Sequence, residues 1–196
     1  MDTRATQLFD RTPEPEQMRV GRRSAHAVPG VRPAGAPRPA RPTVSVVIPT
    51  LNEAANLPYV LPRIPTWVAE VILVDGNSTD GTIGVARQLL PEVRVVLESR
   101  RGKGFALRRG FAAARGDIIV MMDADGSTNP EEIGAFVRHL RDGADFVKGS
   151  RYLQGAGSVD ITPFRALGNH GLTHTVRLLF GSRYTDLCYG FCAFWS

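Results

Sequence analysis

The chain has 196 residues, of which 43% are hydrophobic and 22% charged, with a formal net charge of +5. That is ordinary globular composition and excludes a collagen-like, coiled-coil or wholly disordered chain. No run of 18 apolar residues occurs, so no transmembrane helix is expected within it.

The first 42 residues differ from the rest. They hold 7 of the 14 prolines and 8 arginines against 4 acidic residues, and so carry +4 of the net charge. Residues 43–196 are almost neutral, which leaves little charge support for nucleic-acid binding, and no nucleic-acid partner is expected. The stretch 28–42 has few large apolar side chains and cannot bury enough surface to offset chain entropy. Residues 1–42 are therefore expected to form a disordered Pro/Arg-rich leader. Its arginines are spread out, which favours a solvated segment over an electrostatic tether to anionic lipid. No secretory-signal pattern is present. The two cysteines, Cys188 and Cys192, fit a reducing compartment and a cytoplasmic location. Their spacing matches no zinc motif, so packing is their expected role.

From Thr43 onward, β-branched runs alternate with helical stretches. Residues 43–48, 71–74, 93–97 and 118–122 predict strands, and 146–147 begins a weaker fifth. They are apolar on both faces, as strands of a covered parallel sheet are. Residues 54–61, 82–90, 103–114 and 130–140 predict helices. The last has Asn129 as cap, Pro130 in its first turn, and Glu131 and Glu132 at its positive end. Its apolar residues Ile133, Phe136, Val137 and Leu140 fall on one face. Residues 164–180 predict a further helix, suited either to core packing or to a basic, lipid-facing surface. His170 and His174 lie four apart on it, but without the glutamate of a His-Glu-x-x-His motif they are read as structural. The alternation predicts one α/β domain over 43–196, Rossmann-like, with a mostly parallel central sheet and flanking helices.

In such sheets, ligands sit beyond the carboxyl ends of the strands. Four polar clusters fall there: Pro49-Thr50-Leu51-Asn52-Glu53, the run from Asp75 to Thr82, Asp123-Ala124-Asp125-Gly126-Ser127, and Lys148-Gly149-Ser150-Arg151. Asp123 and Asp125, two apart on an extended segment, point the same way and repel unless a cation sits between them. Mg²⁺ or Mn²⁺ suits that pair and keeps positions open for substrate phosphates. Asp75, at the expected crevice, can accept hydrogen bonds from a ribose or a base. Residues 77–80 are read as a turn capping the next helix, because the loop lacks the glycine spacing and preceding helix of a calcium loop. Residues 100–104 match neither a Walker A loop nor a dinucleotide fingerprint. Lys103 and the backbone N–H groups opening its helix suit either a diphosphate or a solvated turn. Lys148 and Arg151 form a candidate anion site opposite the metal.

These residues resemble family-2 glycosyltransferases of GT-A-type fold. The resemblance rests on residues 46–53, 74–82, Gly102-Lys103-Gly104, 122–126, 148–152, Asp186 and Gly190-Phe191. The branch most similar is the dolichyl-phosphate mannose synthase type, with its bacterial polyprenyl-phosphate relatives. The resemblance implies a UDP- or GDP-sugar donor, an inverting transfer, and Mg²⁺ or Mn²⁺. Pro49, Glu53, Asp75, Lys103 and Asp123 would bind the donor. Asp123 and Asp125 would hold the metal with Ser127, which stands where mannose synthases commonly carry Gln. Lys148 and Arg151 would face the phosphates, and Asp186 lies near the place of a catalytic carboxylate. A polyprenyl-phosphate acceptor would need no strong base and would draw the chain to the inner face of a membrane; a sugar hydroxyl would need one, with Asp186 the candidate. Similar proteins continue past the equivalent of Ser196, so a truncated C-terminus is expected. Two rivals remain. A sugar-phosphate nucleotidyltransferase would carry Gly and a cation in residues 49–56, which have neither. A truncated, non-catalytic nucleotide-binding module would bind a donor without turning it over.

Overall fold

The computed structural model describes residues 37–150, 171–176, 178–179, 186 and 189–196. Its frame is a six-stranded sheet in the order β3-β2-β1-β4-β6-β5. The strands are β1 (Val44–Thr50), β2 (Glu70–Asp75), β3 (Arg94–Leu97), β4 (Ile118–Met121), β5 (Phe146–Lys148) and β6 (Cys192–Trp195). β1, β2, β3 and β4 are mutually parallel. β6 inserts between β4 and β5, antiparallel to both. The sheet is thus mixed but mostly parallel, as the strand–helix alternation predicts.

Strand alternation splits the apolar residues between two cores. Val44, Val46, Ile48, Val71 and Leu73 face one side with α1 (Leu57–Val60), α2 (Thr82–Leu89) and α4 (Ile133–Arg141). Val47, Ile72, Val74 and Ile119 face the other, against α3 (Lys103–Ala113). Both faces are covered, so the strands can be apolar throughout.

Local chemistry shifts several expected boundaries. β1 runs through Pro49, which the expected strand excludes. Val47 accepts from Met122 N on the β4 side, and that ladder stops there. Pro49 turns its nitrogen toward that vacated side, where no N–H is needed, while β2 continues alongside to Asp75. The expected helix over 54–61 shortens to α1, followed by a 3₁₀ turn at Leu61–Arg63. Pro62 has no N–H to continue an α-helix. Asn129 caps its helix as predicted, its side chain accepting from Glu131 N at 3.1 Å, although the first turn, Pro130–Glu132, is 3₁₀.

Cys192 is buried, and burial pushes its thiol pKa up, in keeping with a packing role. Cys188, His170 and most of the expected leader lie outside the described residues. Of residues 37–42, Arg38 packs its guanidinium over Trp195 and pairs with Asp145. Residues 171–176 and 178–179 are helical. There Leu172, Leu178 and Leu179 are exposed, so core packing does not account for those three side chains.

α3 lies close on the sheet because Gly110 lets it. A Cβ at Gly110 would stand 2.4 Å from Val47 Cγ1 and 2.8 Å from Val74 Cγ2. Gly110→Ala should therefore destabilise the fold by about 1–3 kcal/mol despite alanine's better helix propensity. Urea unfolding of the variant checks this; equal or greater stability would show that α3 can back away from the sheet at no cost.

Candidate functional site

The carboxyl ends of β1 and β4 and the loops after β1, β2 and β3 surround one cavity of about 750 Å³. Pro49, Glu53, Lys103, Asp123 and Asp125, all expected in a donor site, line it. Thr50, Asn52, Asn77, Ser99, Arg100 and Arg101 complete much of the polar wall.

The loops after β1 and β2 are laced together. Asn52 and Asn77 both adopt positive φ, at 58° and 67°, a conformation asparagine tolerates better than most residues. Asn52 N donates to Ser78 Oγ at 2.9 Å, and its side-chain oxygen accepts from Thr79 N at 2.8 Å. Glu53 N donates to Thr82 Oγ1, and Ala54 N to Asp80 Oδ2. Asp80 also accepts from Thr82 N at the start of α2, so the capping role predicted for this turn holds. Hydrogen bonds from Thr82 and Ala54 hold the Asp80 carboxyl below its usual range. The Glu53 carboxylate is oriented by Asn56 Nδ2 at 2.7 Å.

Asp75 closes β2 beneath this lacing. It is 1% exposed and accepts from Ser78 N at 2.9 Å. A buried carboxylate with one strong backbone partner keeps lone pairs for further donors.

The end of β3 carries Glu98, which sequence alone does not single out, beside Arg100 of the basic loop. Glu98 is buried, and its N–H donates to Asp75 O. Its carboxylate grips Arg100 through both oxygens, and the Arg100 guanidinium lies 4.6 Å from the centre of the Phe105 ring. Arg100 is thereby presented to the cavity on a rigid mount. The available signal was the same strand-end rule that marks the other loops.

At the end of β4, Lys103 Nζ pairs with Asp123. Asp125 Oδ1 accepts from Ser127 N at 2.9 Å, which closes the tight turn through Gly126. The pair satisfies the donor chemistry of a hard divalent cation. No group of three or more His, Cys, Asp or Glu side chains fit to hold a metal is present among the described residues. Two carboxylates therefore fit Mg²⁺ or Mn²⁺ only where ligand phosphates and water complete the shell.

Besides Asp75, three predicted residues stand apart from the cavity wall. The Ser127 carbonyl accepts from Tyr189, and Lys148 Nζ donates to the Tyr189 carbonyl. Asp186 is buried, at 1% exposure. Arg151 lies outside the described residues.

The family model described as Glycosyl transferase family 2 matches residues 45–195. The chain is 38% identical over 184 residues to the polyprenol monophosphomannose synthase of Mycolicibacterium smegmatis, covering 86% of this chain and 69% of that one. It is 38% identical over 128 residues to the dolichol-phosphate mannosyltransferase of Pyrococcus furiosus, covering 62% of this chain and 36% of that one. Among solved structures it resembles glucosyl-3-phosphoglycerate synthase from Mycobacterium tuberculosis in complex with Mn²⁺, UDP and glucosyl-3-phosphoglycerate. That similarity has a TM-score of 0.62 at 28% identity, over 79% of this chain and 57% of the other. The chain thus spans only about a third of the Pyrococcus relative and little more than half of this solved structure.

The Glu98–Arg100 bridge gives a pH signature. The side chain and N–H of Arg100 lower the Glu98 pKa from 4.5 to about 2. A lowered folded-state pKa means stabilisation that is complete above the unfolded value and lost as pH falls through the folded one. Glu98→Gln should be less stable than wild type near neutral pH, and the gap should close between pH 4.5 and about 2. Urea unfolding across that range checks it; equal stabilities near neutrality would show that the bridge adds nothing to the fold.

Proposed function

The chain belongs to glycosyl transferase family 2, and on that premise we propose that it moves a hexosyl group from a UDP- or GDP-sugar to an acceptor in a reaction dependent on Mg²⁺ or Mn²⁺. The observation that carries this reading is the convergence of Glu53, Lys103, Asp123 and Asp125 on one cavity, with Asp75 buried beneath its rim. The domain responsible is 43–196.

Asp75 and Glu53 accept hydrogen bonds from the nucleoside. Asp123 and Asp125 hold the cation, which when bound neutralises the charge that develops on the departing diphosphate. Lys103 opens α3, so its ammonium and the first-turn N–H groups face the same diphosphate. Lys148 and Arg151, by the family resemblance, would add positive charge facing the phosphates. The acceptor oxygen attacks the anomeric carbon from the face opposite the leaving group. The bond from that carbon to the diphosphate oxygen breaks, its electron pair stays with the phosphate, and configuration inverts.

The names of the mannosyl-transferring relatives favour polyprenyl phosphate as the acceptor. Its oxygen is already anionic near neutral pH, so the transfer needs no strong base. A hydroxyl acceptor would need one, and Asp186 is then the residue to supply it. No helix among the described residues is long and apolar enough to cross a membrane. Use of a polyprenyl acceptor would make this domain a peripheral visitor to the cytoplasmic membrane face.

Calorimetric titration with UDP, GDP and their sugar conjugates, each with and without Mn²⁺, tests the reading. One nucleotide should bind in a metal-dependent way. Asp125→Asn should weaken that binding by at least about tenfold, equivalent to ~1.4 kcal/mol. Metal-independent affinity, unchanged in Asp125→Asn, would defeat the assignment. Nucleotide binding with no sugar transfer to any polyprenyl phosphate or hydroxyl acceptor would favour the non-catalytic module.

A further inference from the structure

Gly190 lies directly against the Asp123 carboxylate. A Cβ at Gly190 would stand 1.9 Å from Asp123 Oδ2 and 2.5 Å from its Cγ. Gly190 is not among the residues with positive φ, so its backbone does not require glycine. The carboxylate does. The flanking residues fasten this stretch of backbone. Lys148 Nζ donates to the Tyr189 carbonyl, and Gly149 N donates to the Phe191 carbonyl at 2.9 Å. Phe191 is fully buried and stacks on Phe136 at 4.3 Å between centroids. The Tyr189 hydroxyl then reaches across to donate to the Ser127 carbonyl at 3.2 Å. One three-residue segment thus touches the acidic loop at both ends, at Asp123 and at Ser127.

We propose that residues 189–191 are the positioning element of that loop. Gly190 sets the orientation of the Asp123 carboxylate, and the Tyr189 hydroxyl holds the turn that carries Asp125. Together they tune the affinity of the two aspartates for a divalent cation bound with a nucleoside diphosphate. The proposal rests on the metal role proposed above for Asp123 and Asp125. It also gives Lys148 a second task, anchoring the segment through the Tyr189 carbonyl. A side chain at 190 is most cheaply accommodated by swinging the short Asp123 side chain away. That movement separates it from Lys103 and spoils the metal edge while leaving β4 and β6 paired.

The experiment compares wild type, Gly190→Ala and Tyr189→Phe. Mn²⁺ uptake is followed by the electron paramagnetic resonance of free Mn²⁺ in the presence of UDP or GDP. Amide exchange over residues 123–128 and the melting temperature are measured in parallel. Both variants should melt close to wild type. Gly190→Ala should weaken Mn²⁺ binding by about tenfold or more, and Tyr189→Phe by severalfold, as expected when a partner of a metal-holding carboxylate is lost. Tyr189→Phe should also speed exchange over 123–128. If Gly190→Ala fails to fold, Tyr189→Phe decides alone. Wild-type Mn²⁺ affinity in the folded variants overturns the proposal, whatever exchange shows. If wild type takes up no Mn²⁺ with either nucleotide, the metal-dependent transfer reading fails. Exchange then decides this one: faster exchange in Tyr189→Phe upholds the brace, and unchanged exchange overturns it.

Discussion

Negative charge is concentrated at the carboxyl edge of the sheet, and the rest of the site depends on how each carboxylate there is matched. Asp75, Glu98, Asp123 and Asp125 all sit at or just beyond strand ends, above strands that are almost wholly apolar. Like charges gathered at the rim of a low-dielectric core repel strongly unless each has a partner. The partners come from the loops themselves. Ser78 N serves Asp75, Arg100 serves Glu98, Lys103 serves Asp123, and Ser127 N serves Asp125. Packing two sheet faces with apolar helices leaves the polar loops at the ends of the sheet, and charge matching shapes those at the carboxyl end.

The partners are of two kinds. Glu98 and Asp80 are tied into local structure, and each has a carboxyl held below its ordinary range. They serve the scaffold by locking the loops after β3 and β2. Asp123 is matched by a lysine whose side chain is half exposed. A lysine ammonium on a flexible stem is an exchangeable counter-charge, unlike the planar, stacked guanidinium of Arg100. The exchangeable match lies at Asp123, on the cavity wall beside Asp125. That division suits a site that must keep its shape while its charge is rearranged.

Much of this site is legible from residue order. Asp123 and Asp125 are marked by their spacing after a buried strand, Asp75 by its place at the end of β2, and Lys103 by its position opening a helix. Glu98 is not marked, because an isolated acidic residue after a short strand looks like surface chemistry, and Arg100 is marked only as part of a basic loop. Glu98 is buried where its N–H bonds to Asp75 O, a contact across two strands, and the exposed Arg100 is fixed by that buried carboxylate. Lys148 is marked as an anion ligand by its charge, yet its ammonium rests on a backbone carbonyl 41 residues away. No local pattern encodes such a partner.

The sequence by itself determined the class of fold, the end of the sheet where the candidate site's polar residues gather, and the presence of an acidic pair there. These follow from properties of short range: side-chain alternation along a strand, helix periodicity, and the repulsion of carboxylates two residues apart. Only the tertiary structure decided which strand lies beside β4, how far β1 extends past its proline, and why residue 190 is glycine. The first and last depend on the antiparallel return of β6, whose lead-in brings Gly190 against Asp123 from 67 residues farther along the chain; the second depends on β2 running alongside β1 to Asp75. Long-range register is set by the packing of a whole core, and no window of sequence contains it.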